Sequence, residues 1–117
     1  MSGVIARAEE IANQIAVDGV MATCDITRIG SSVPGVLVVP APTLTPSGLC
    51  DSADASWTIV VLAKQPANLV NTGKLLDLVQ HVWDTLDYTI RFEPDAYQLG
   101  DLSLPAYVGR YEEQIDL

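Results

Sequence analysis

The 117-residue sequence is poor in the residues from which catalytic and metal sites are most often built, with one histidine and two cysteines. Cys24 and Cys50 form no Cys-x-x-Cys pair, so a structural zinc motif is missing. Two cysteines without a secretion signal favour reduced thiols in a cytoplasm over a disulfide. The sequence also has no Gly-x-Ser-x-Gly elbow and no phosphate-binding glycine loop.

The single histidine, His81, lies on a predicted helix, with Asp77 four residues before it and Asp84 three residues after it. One interpretation is a general base held by a carboxylate. The other is a solvated pair on an exposed helix face, which the polar neighbours favour. We therefore expect no enzyme, no metal site and no cofactor.

Basic residues are scarce as well, six against fifteen acidic ones, which gives a formal net charge of −9. Phosphate is repelled by such a surface, so the protein is not expected to wrap nucleic acid by counterion release. Solubility alone is the simplest interpretation of this charge, which is also compatible with a channel through which DNA slides. Long apolar runs are missing too: no segment reaches the roughly 20 apolar residues that span a bilayer, and the N-terminus does not read as a signal peptide.

What the sequence does contain is an apolar content of 49%, enough for one domain with a core. Two apolar runs, 34–40 and 56–63, are predicted as central strands covered on both faces. Residues 41–55 between them are rich in Pro, Thr, Ser, Asp and Ala. They are predicted as a long polar loop, and long loops tend to be functional or disordered.

Two amphipathic helices are predicted, one over 3–17 ending at Asp18-Gly19 and one that begins after an Asn68 cap, with Asn71 as the alternative cap. The apolar face of the second helix comprises Leu75, Leu76, Val79, Val82, Trp83 and Leu86. Further strands are predicted over 21–28, 88–93 and 105–111, with a turn at Pro94-Asp95. The last strand suits an edge of the sheet or a surface that something else covers. The acidic residues 112–117 are predicted to be a loose tail.

The order α-β-β-β-α-β-β predicts an α+β fold over residues 1–117. It consists of a single, mainly antiparallel or mixed sheet of about five strands with two helices packed on it. The crossing made by the second helix is expected to bring a parallel pair. Aromatic residues at strand edges and apolar residues around the long loop are candidates for an interface. These candidates are Pro40, Pro42, Leu44, Leu49, Trp57, Tyr107 and Tyr111.

Taken in order, the whole chain resembles the tail terminator proteins of long-tailed, siphovirus-type phages, in the style common among phages of actinobacteria. The resemblance rests on the opening helix and on the Pro-bounded run 34–42, Pro-Gly-Val-Leu-Val-Val-Pro-Ala-Pro. It continues with Trp57-Thr58-Ile59-Val60-Val61-Leu62-Ala63, with Leu75-Leu76-Asp77-Leu78-Val79 and with Pro105-Ala106-Tyr107. The family has no catalytic signature, so no residue inherits a catalytic role.

The resemblance implies a virion protein of the tail neck, made and assembled in the host cytoplasm. Such a protein forms a homo-hexameric ring on the tail tube protein, ends tube polymerisation and offers a docking surface to the head–tail connector. DNA would be only passing cargo in the lumen, and no membrane contact is implied. The polar segment 41–55 would then be an assembly arm, mobile in the monomer and ordered on assembly. The alternatives are another neck component, a head–tail connector or tail completion protein, or a small cytoplasmic ligand-binding domain.

Overall fold

The computed structural model describes residues 2–25, 34–46, 52–64, 68–99 and 102–116. Its elements in chain order are helix α1 (Ser2–Ile15), strands β1 (Ala22–Thr23), β2 (Gly35–Val38), β3 (Thr43–Pro46) and β4 (Ser52–Leu62), helix α2 (Leu69–Thr85), and strands β5 (Phe92–Leu99) and β6 (Leu102–Asp116). Two helices and one mixed sheet of six strands make an α+β fold. The predicted fold class is confirmed, with one strand more than expected.

Strand β4 is the centre of the sheet, whose order is β1-β2-β4-β6-β5 with β3 beside β4 off this path. On one side β4 pairs first with β3 and then with β2, and on the other all eleven of its residues pair with β6. The parallel pairing found in the described part of the chain joins β1 to β2. The sequence predicted that a strand before α2 and a strand after it would pair in parallel. Instead β4, which precedes α2, pairs antiparallel with β6, which follows it.

The core lies mainly between the two helices and one face of the sheet. Trp57, Ile59 and Val61 of β4 point into this layer and have no exposed surface. The intervening Val60 and Leu62 are buried on the opposite face, in a smaller cluster with Leu37, Leu104 and Ala106. Burial on both faces explains why the run 59–62 is continuously apolar, as predicted.

Both helices follow the predicted stripes with two exceptions, and the first is Ile5, predicted on the apolar face of α1 but 49% exposed. Asn68 caps α2 as predicted, since its Oδ1 accepts a hydrogen bond from the Asn71 N–H at 2.9 Å. Gly19 takes the predicted left-handed conformation after α1. Leu76, predicted on the buried face of α2, is 51% exposed. Its position is 100° around the helix from Leu75, which is far enough to leave the stripe.

The predicted strand 88–93 and the turn at Pro94-Asp95 are wrong: β5 begins only at Phe92 and contains both turn residues. The preceding segment is held as a turn because the Trp83 indole N–H donates to the Ile90 carbonyl at 2.8 Å. Pro94 fits into a strand here because β5 is at the edge of the sheet and pairs only with β6 in the described structure.

The acidic end of the chain is not a loose tail. Residues 112–116 continue β6 and pair with residues 52–56 of β4, and Ile115 is buried. β6 therefore lies between β4 and β5 and is not the predicted edge strand. Period-two alternation places Glu113 and Ile115 on the helix side of the sheet, which the acidic composition obscured.

The predicted polar loop 41–55 is largely strand. Thr43–Pro46 form β3, and residues 52–55 begin β4, so the two segments make an antiparallel hairpin. The connection 47–51, with Leu49 and Cys50, lies outside the described residues. Of the predicted strand 21–28, Ala22–Thr23 is strand β1, and residues 26–28 are likewise outside the described part.

Replacing Gly109 by alanine is expected to lower the free energy of unfolding by about 1–3 kcal/mol. A Cβ at this position would lie 2.8 Å from Ile90 Cγ2 and 2.8 Å from two ring carbons of Phe92, so the packing must shift. Urea unfolding measures the loss. Gly73→Ala is the matched control, because its Cβ meets nothing within 4 Å and the site is in a helix, where alanine stabilises by up to about 1 kcal/mol. Equal midpoints for both variants would contradict the close packing at Gly109.

Candidate functional site

The sheet extends at one end into a three-stranded projection, which we call the arm. It consists of β3, residues 52–56 of β4 and residues 112–116 of β6. Strand β2 reaches only as far as Ile59 along β4, and β5 only as far as Gly109 along β6, so neither flanks the arm. The molecule is elongated, with extents of 48, 28 and 24 Å along its principal axes.

The two faces of the arm differ sharply in polarity, as the period-two alternation of its strands requires. Ala53, Ala55 and Ile115 are buried on the helix side. The opposite face, which we call the outer face, is polar and consists of Thr43, Thr45, Asp54, Ser56, Glu112 and Gln114. Five of these residues surround a shallow cavity of about 440 Å³, which places two carboxylates beside a row of hydroxyl groups.

The arm is fastened to helix α1 by one polar cluster. Glu113 accepts hydrogen bonds from Arg7 Nε and Arg7 Nη2, both at 2.8 Å, and from the Trp57 indole N–H at 2.9 Å. The pKa of the Arg7 guanidinium is raised above its ordinary value, chiefly by these hydrogen bonds to Glu113. Burial raises the pKa of the Tyr111 phenol, which packs beside the cluster. The arm is thus held to the body by both packing and charge.

The predicted interface residues are scattered by the fold. Leu44 on β3 is exposed, and Pro40 and Pro42 are half-buried where the chain passes from β2 to β3. Tyr107 and Tyr111 are half-buried against the helix-side core. Leu49 lies outside the described residues.

The prediction of Trp57 as an interface residue is corrected by the structure, because its side chain has no exposed surface and cannot contribute to an interface of the folded chain. Trp57 lies at the start of an apolar run, but α1 covers the helix side of β4 at this point. The indole N–H of Trp57 donates a hydrogen bond to Glu113.

Two exposed features were missed by sequence reasoning. Leu69, Val70 and Leu76 are exposed on the first turns of α2, at 90%, 68% and 51%. Leu69 and Leu76 are seven residues apart, which is about two helical turns, so they lie on nearly the same side of α2. A helical wheel begun at Leu69 would have shown that this side differs from the buried stripe. The second feature is a groove that contains two arginines, Arg91 and Arg110, and it depends on the strand register of β5 and β6, which the sequence did not reveal.

We call this second feature the arginine groove. It has a volume of about 620 Å³ and lies on the sheet face opposite the helices, where β5 and β6 meet. Its charged lining residues are Arg91, Glu93, Asp95, Arg110 and Glu112. Arg91 and Glu93 form an exposed ion pair at 3.2 Å. The groove therefore presents both signs of charge on an open surface.

His81 is not part of a solvated pair with Asp77. Its Nε2 lies 2.7 Å from the Ile15 carbonyl, so the ring donates to the C-terminal end of α1 and joins the two helices. Asp84 instead accepts hydrogen bonds from the Tyr88 hydroxyl and the Gln80 amide, which hold the pKa of its carboxyl below the usual range.

In residues 2–25, 34–46, 52–64, 68–99 and 102–116 no three His, Cys, Asp or Glu side chains lie where they could hold one metal ion. Within the same ranges every buried polar side-chain atom has a hydrogen-bond partner. Cys24 is a half-buried thiol whose pKa is raised by burial. No helix in this part of the chain has the length and apolar character needed to cross a membrane.

Comparison with known proteins gives no relative from which a function can be transferred: no family model, no curated protein and no solved structure matches this chain. The arm and the arginine groove are therefore the candidate functional surfaces on their physical character alone.

Proposed function

We propose that this protein is a tail terminator of a long-tailed phage. It caps the tail tube as a homo-hexameric ring, ends polymerisation of the tube and forms the surface on which the head–tail connector docks. The sequence resemblance motivates this proposal, and the arm is the structural observation that supports it best.

The arm suits an assembly protein because its outer strand is an open edge. All four residues of β3 are exposed, and within the described residues β3 pairs only with β4. An open edge strand presents unpaired N–H and C=O groups, which a neighbouring chain can satisfy by adding a strand. The strands of the arm pair in a fixed register and one of its faces is buried, so the open edge of β3 is held in a defined position.

The attachment of the arm to the body also suits a protein that connects two larger assemblies, the tail tube and the head–tail connector. Residues 112–116 pair with β4 in the sheet, and Glu113 joins them to Trp57 of that strand and to Arg7 of helix α1. A contact made at the tip is thereby transmitted to the sheet and helix together. The sequence predicted an irregular loop here, whereas the paired strands form a preformed arm, which lowers the ordering cost of assembly.

The charge supports a role around DNA that passes without binding. Six copies of a chain with a formal charge of −9 carry about −54 charges, and acids directed to a lumen repel the phosphate backbone.

We expect the purified protein to form hexamers, either alone or when tail tubes are added. Native mass spectrometry measures the number of subunits, and negative-stain images of tubes show whether a ring sits at one end. The added protein should also stop elongation of tube protein in a polymerisation assay. A variant with Leu44→Asp, which puts a charge beside the open edge of β3, should weaken the effect, while Tyr88→Asp at an exposed site of the turn after α2 is the control.

A protein that stays monomeric and binds no tube would contradict the proposal. Ring formation with binding to a connector but not to a tube would indicate another neck component instead.

A further inference from the structure

The arginine groove brings together two positive side chains that would not be expected to meet in so acidic a chain. Strands β5 and β6 pair Phe92 with Gly109, and continuing this register by one residue places Arg91 opposite Arg110. Both residues line the groove. Like charges directly opposite each other on neighbouring strands are unfavourable unless an anion lies between them.

Neither arginine is neutralised by a buried partner. Arg91 contacts Glu93, but their side chains are 86% and 66% exposed, so this pair contributes little. Arg110 forms no ion pair with any residue that the structure describes. By contrast, Arg7 is held by Glu113 and Glu10. The groove thus contains guanidinium groups that remain available to a carboxylate from outside.

The flanking residues select the kind of anion. Glu93, Asp95 and Glu112 also line the groove, so its formal charge with the two arginines is about −1. A polyphosphate, which carries many charges, would come close to these acids as well as to the arginines and is repelled. A single carboxylate on a protein surface fits better, because guanidinium groups bind it with two parallel hydrogen bonds.

The arm of a second copy carries such a carboxylate. Asp54 is exposed on the outer face and forms no ion pair within the described residues. It cannot reach Arg110 of its own chain, because Thr58 is the residue opposite Arg110 and four residues of strand separate Asp54 from it by about 13 Å. The acid lies on the projecting arm and the bases lie on the body, which is the arrangement that a head-to-tail contact needs.

We propose that the arginine groove is a subunit-contact site in which Arg91 and Arg110 bind Asp54 on the arm of a neighbouring copy. The inference rests on the proposed function in that it requires copies of the chain to associate. It adds the residues, the charge pairing and the head-to-tail direction of the contact.

The test is charge reversal with a matched control. Arg91→Glu/Arg110→Glu should raise the concentration at which oligomers form at least tenfold, as measured by sedimentation velocity and native mass spectrometry. Lys64→Glu/Lys74→Glu makes the same change of charge at exposed sites outside the groove and should shift assembly much less. Arg91→Gln/Arg110→Gln should give an intermediate shift. Circular dichroism and urea midpoints check that each variant is folded.

A charge swap identifies the partner. Asp54→Arg alone should weaken assembly, and combining Asp54→Arg with Arg110→Glu should restore at least half of the lost oligomer. Raising the salt concentration should weaken the wild-type contact, because exposed charges are screened.

The outcomes separate the two proposals. Rings of normal stability in Arg91→Glu/Arg110→Glu, or failure of the swap to rescue, would overturn the subunit contact and leave the tail terminator proposal standing. A wild-type protein that never associates, alone or on tail tubes, would overturn both. Arginine-dependent binding of a short DNA duplex would show that the groove takes phosphate and that the contact as proposed is wrong.

Discussion

Trp57→Ala is expected to reduce the free energy of unfolding by about 3–5 kcal/mol. The side chain has no exposed surface and packs in the layer between the sheet and the helices, so its removal leaves a cavity at the centre of the core. The substitution also removes a donor from Glu113, since the indole N–H contacts that carboxylate at 2.9 Å. Domains of this size are stable by only about 5–15 kcal/mol, so the loss is a large fraction of the total.

Urea unfolding followed by circular dichroism measures this effect. Trp57→Phe keeps most of the apolar volume and loses the N–H, so it should cost less than half as much. The pair of variants also decides between core and interface, which is the point on which the sequence interpretation of Trp57 was wrong. A stable monomer with impaired assembly in Trp57→Ala would show that the residue acts at an interface and would contradict its burial.

Glu113→Gln should lower the free energy of unfolding by about 2–3 kcal/mol. The carboxylate accepts three hydrogen bonds from Arg7 and Trp57, and the glutamine amide can accept at only one of its two terminal atoms. The side chains of Arg7 and Glu113 are 28% and 14% exposed, so water can only partly replace the lost contacts. The arm should loosen first, because Glu113 joins it to α1.

Glu112→Gln is the matched control, since it removes the same charge from the adjacent residue on the outer face of the arm. Its effect should stay within about 0.5 kcal/mol. Hydrogen exchange should show that residues 112–116 lose protection in Glu113→Gln and keep it in Glu112→Gln. Arg7→Met/Glu113→Gln should recover part of the stability, because no guanidinium is then left without its counterion. Equal losses in the two single variants would mean that the cluster does not fasten the arm.

Much of the fold could be predicted because the hydrophobic pattern of each short segment agrees with the burial of its residues in the folded chain. The stripes of α1 and α2, the Asn68 cap and the apolar runs of β2 and β4 are each determined by nearby residues. Continuous burial of 59–62 reflects cover on both faces of the sheet, and that pattern is visible in the sequence.

The strands of the arm could not be predicted, because they are polar on one face and pair with partners far apart in the chain. Thr43, Thr45 and Asp54 resemble loop residues, and Glu112 and Glu113 resemble a solvated tail. Only the register that sets residues 52–56 beside residues 112–116 reveals alternating faces. The arginine groove was missed for the same reason, since Arg91 and Arg110 meet only through the pairing of β5 with β6.

The long ladder between β4 and β6 has a consequence for how the chain folds. Ser52 pairs with Asp116 and Leu62 with Ala106, partners that are 64 and 44 positions apart in sequence. Contacts over such separations close late and slow the search for the native state. During synthesis one edge of β4 stays unpaired until β6 has left the ribosome, and Arg7 of α1 cannot contact Glu113 before then. Folding of the body and completion of the arm are therefore one event, so a subunit can present a finished arm only after its sheet has closed.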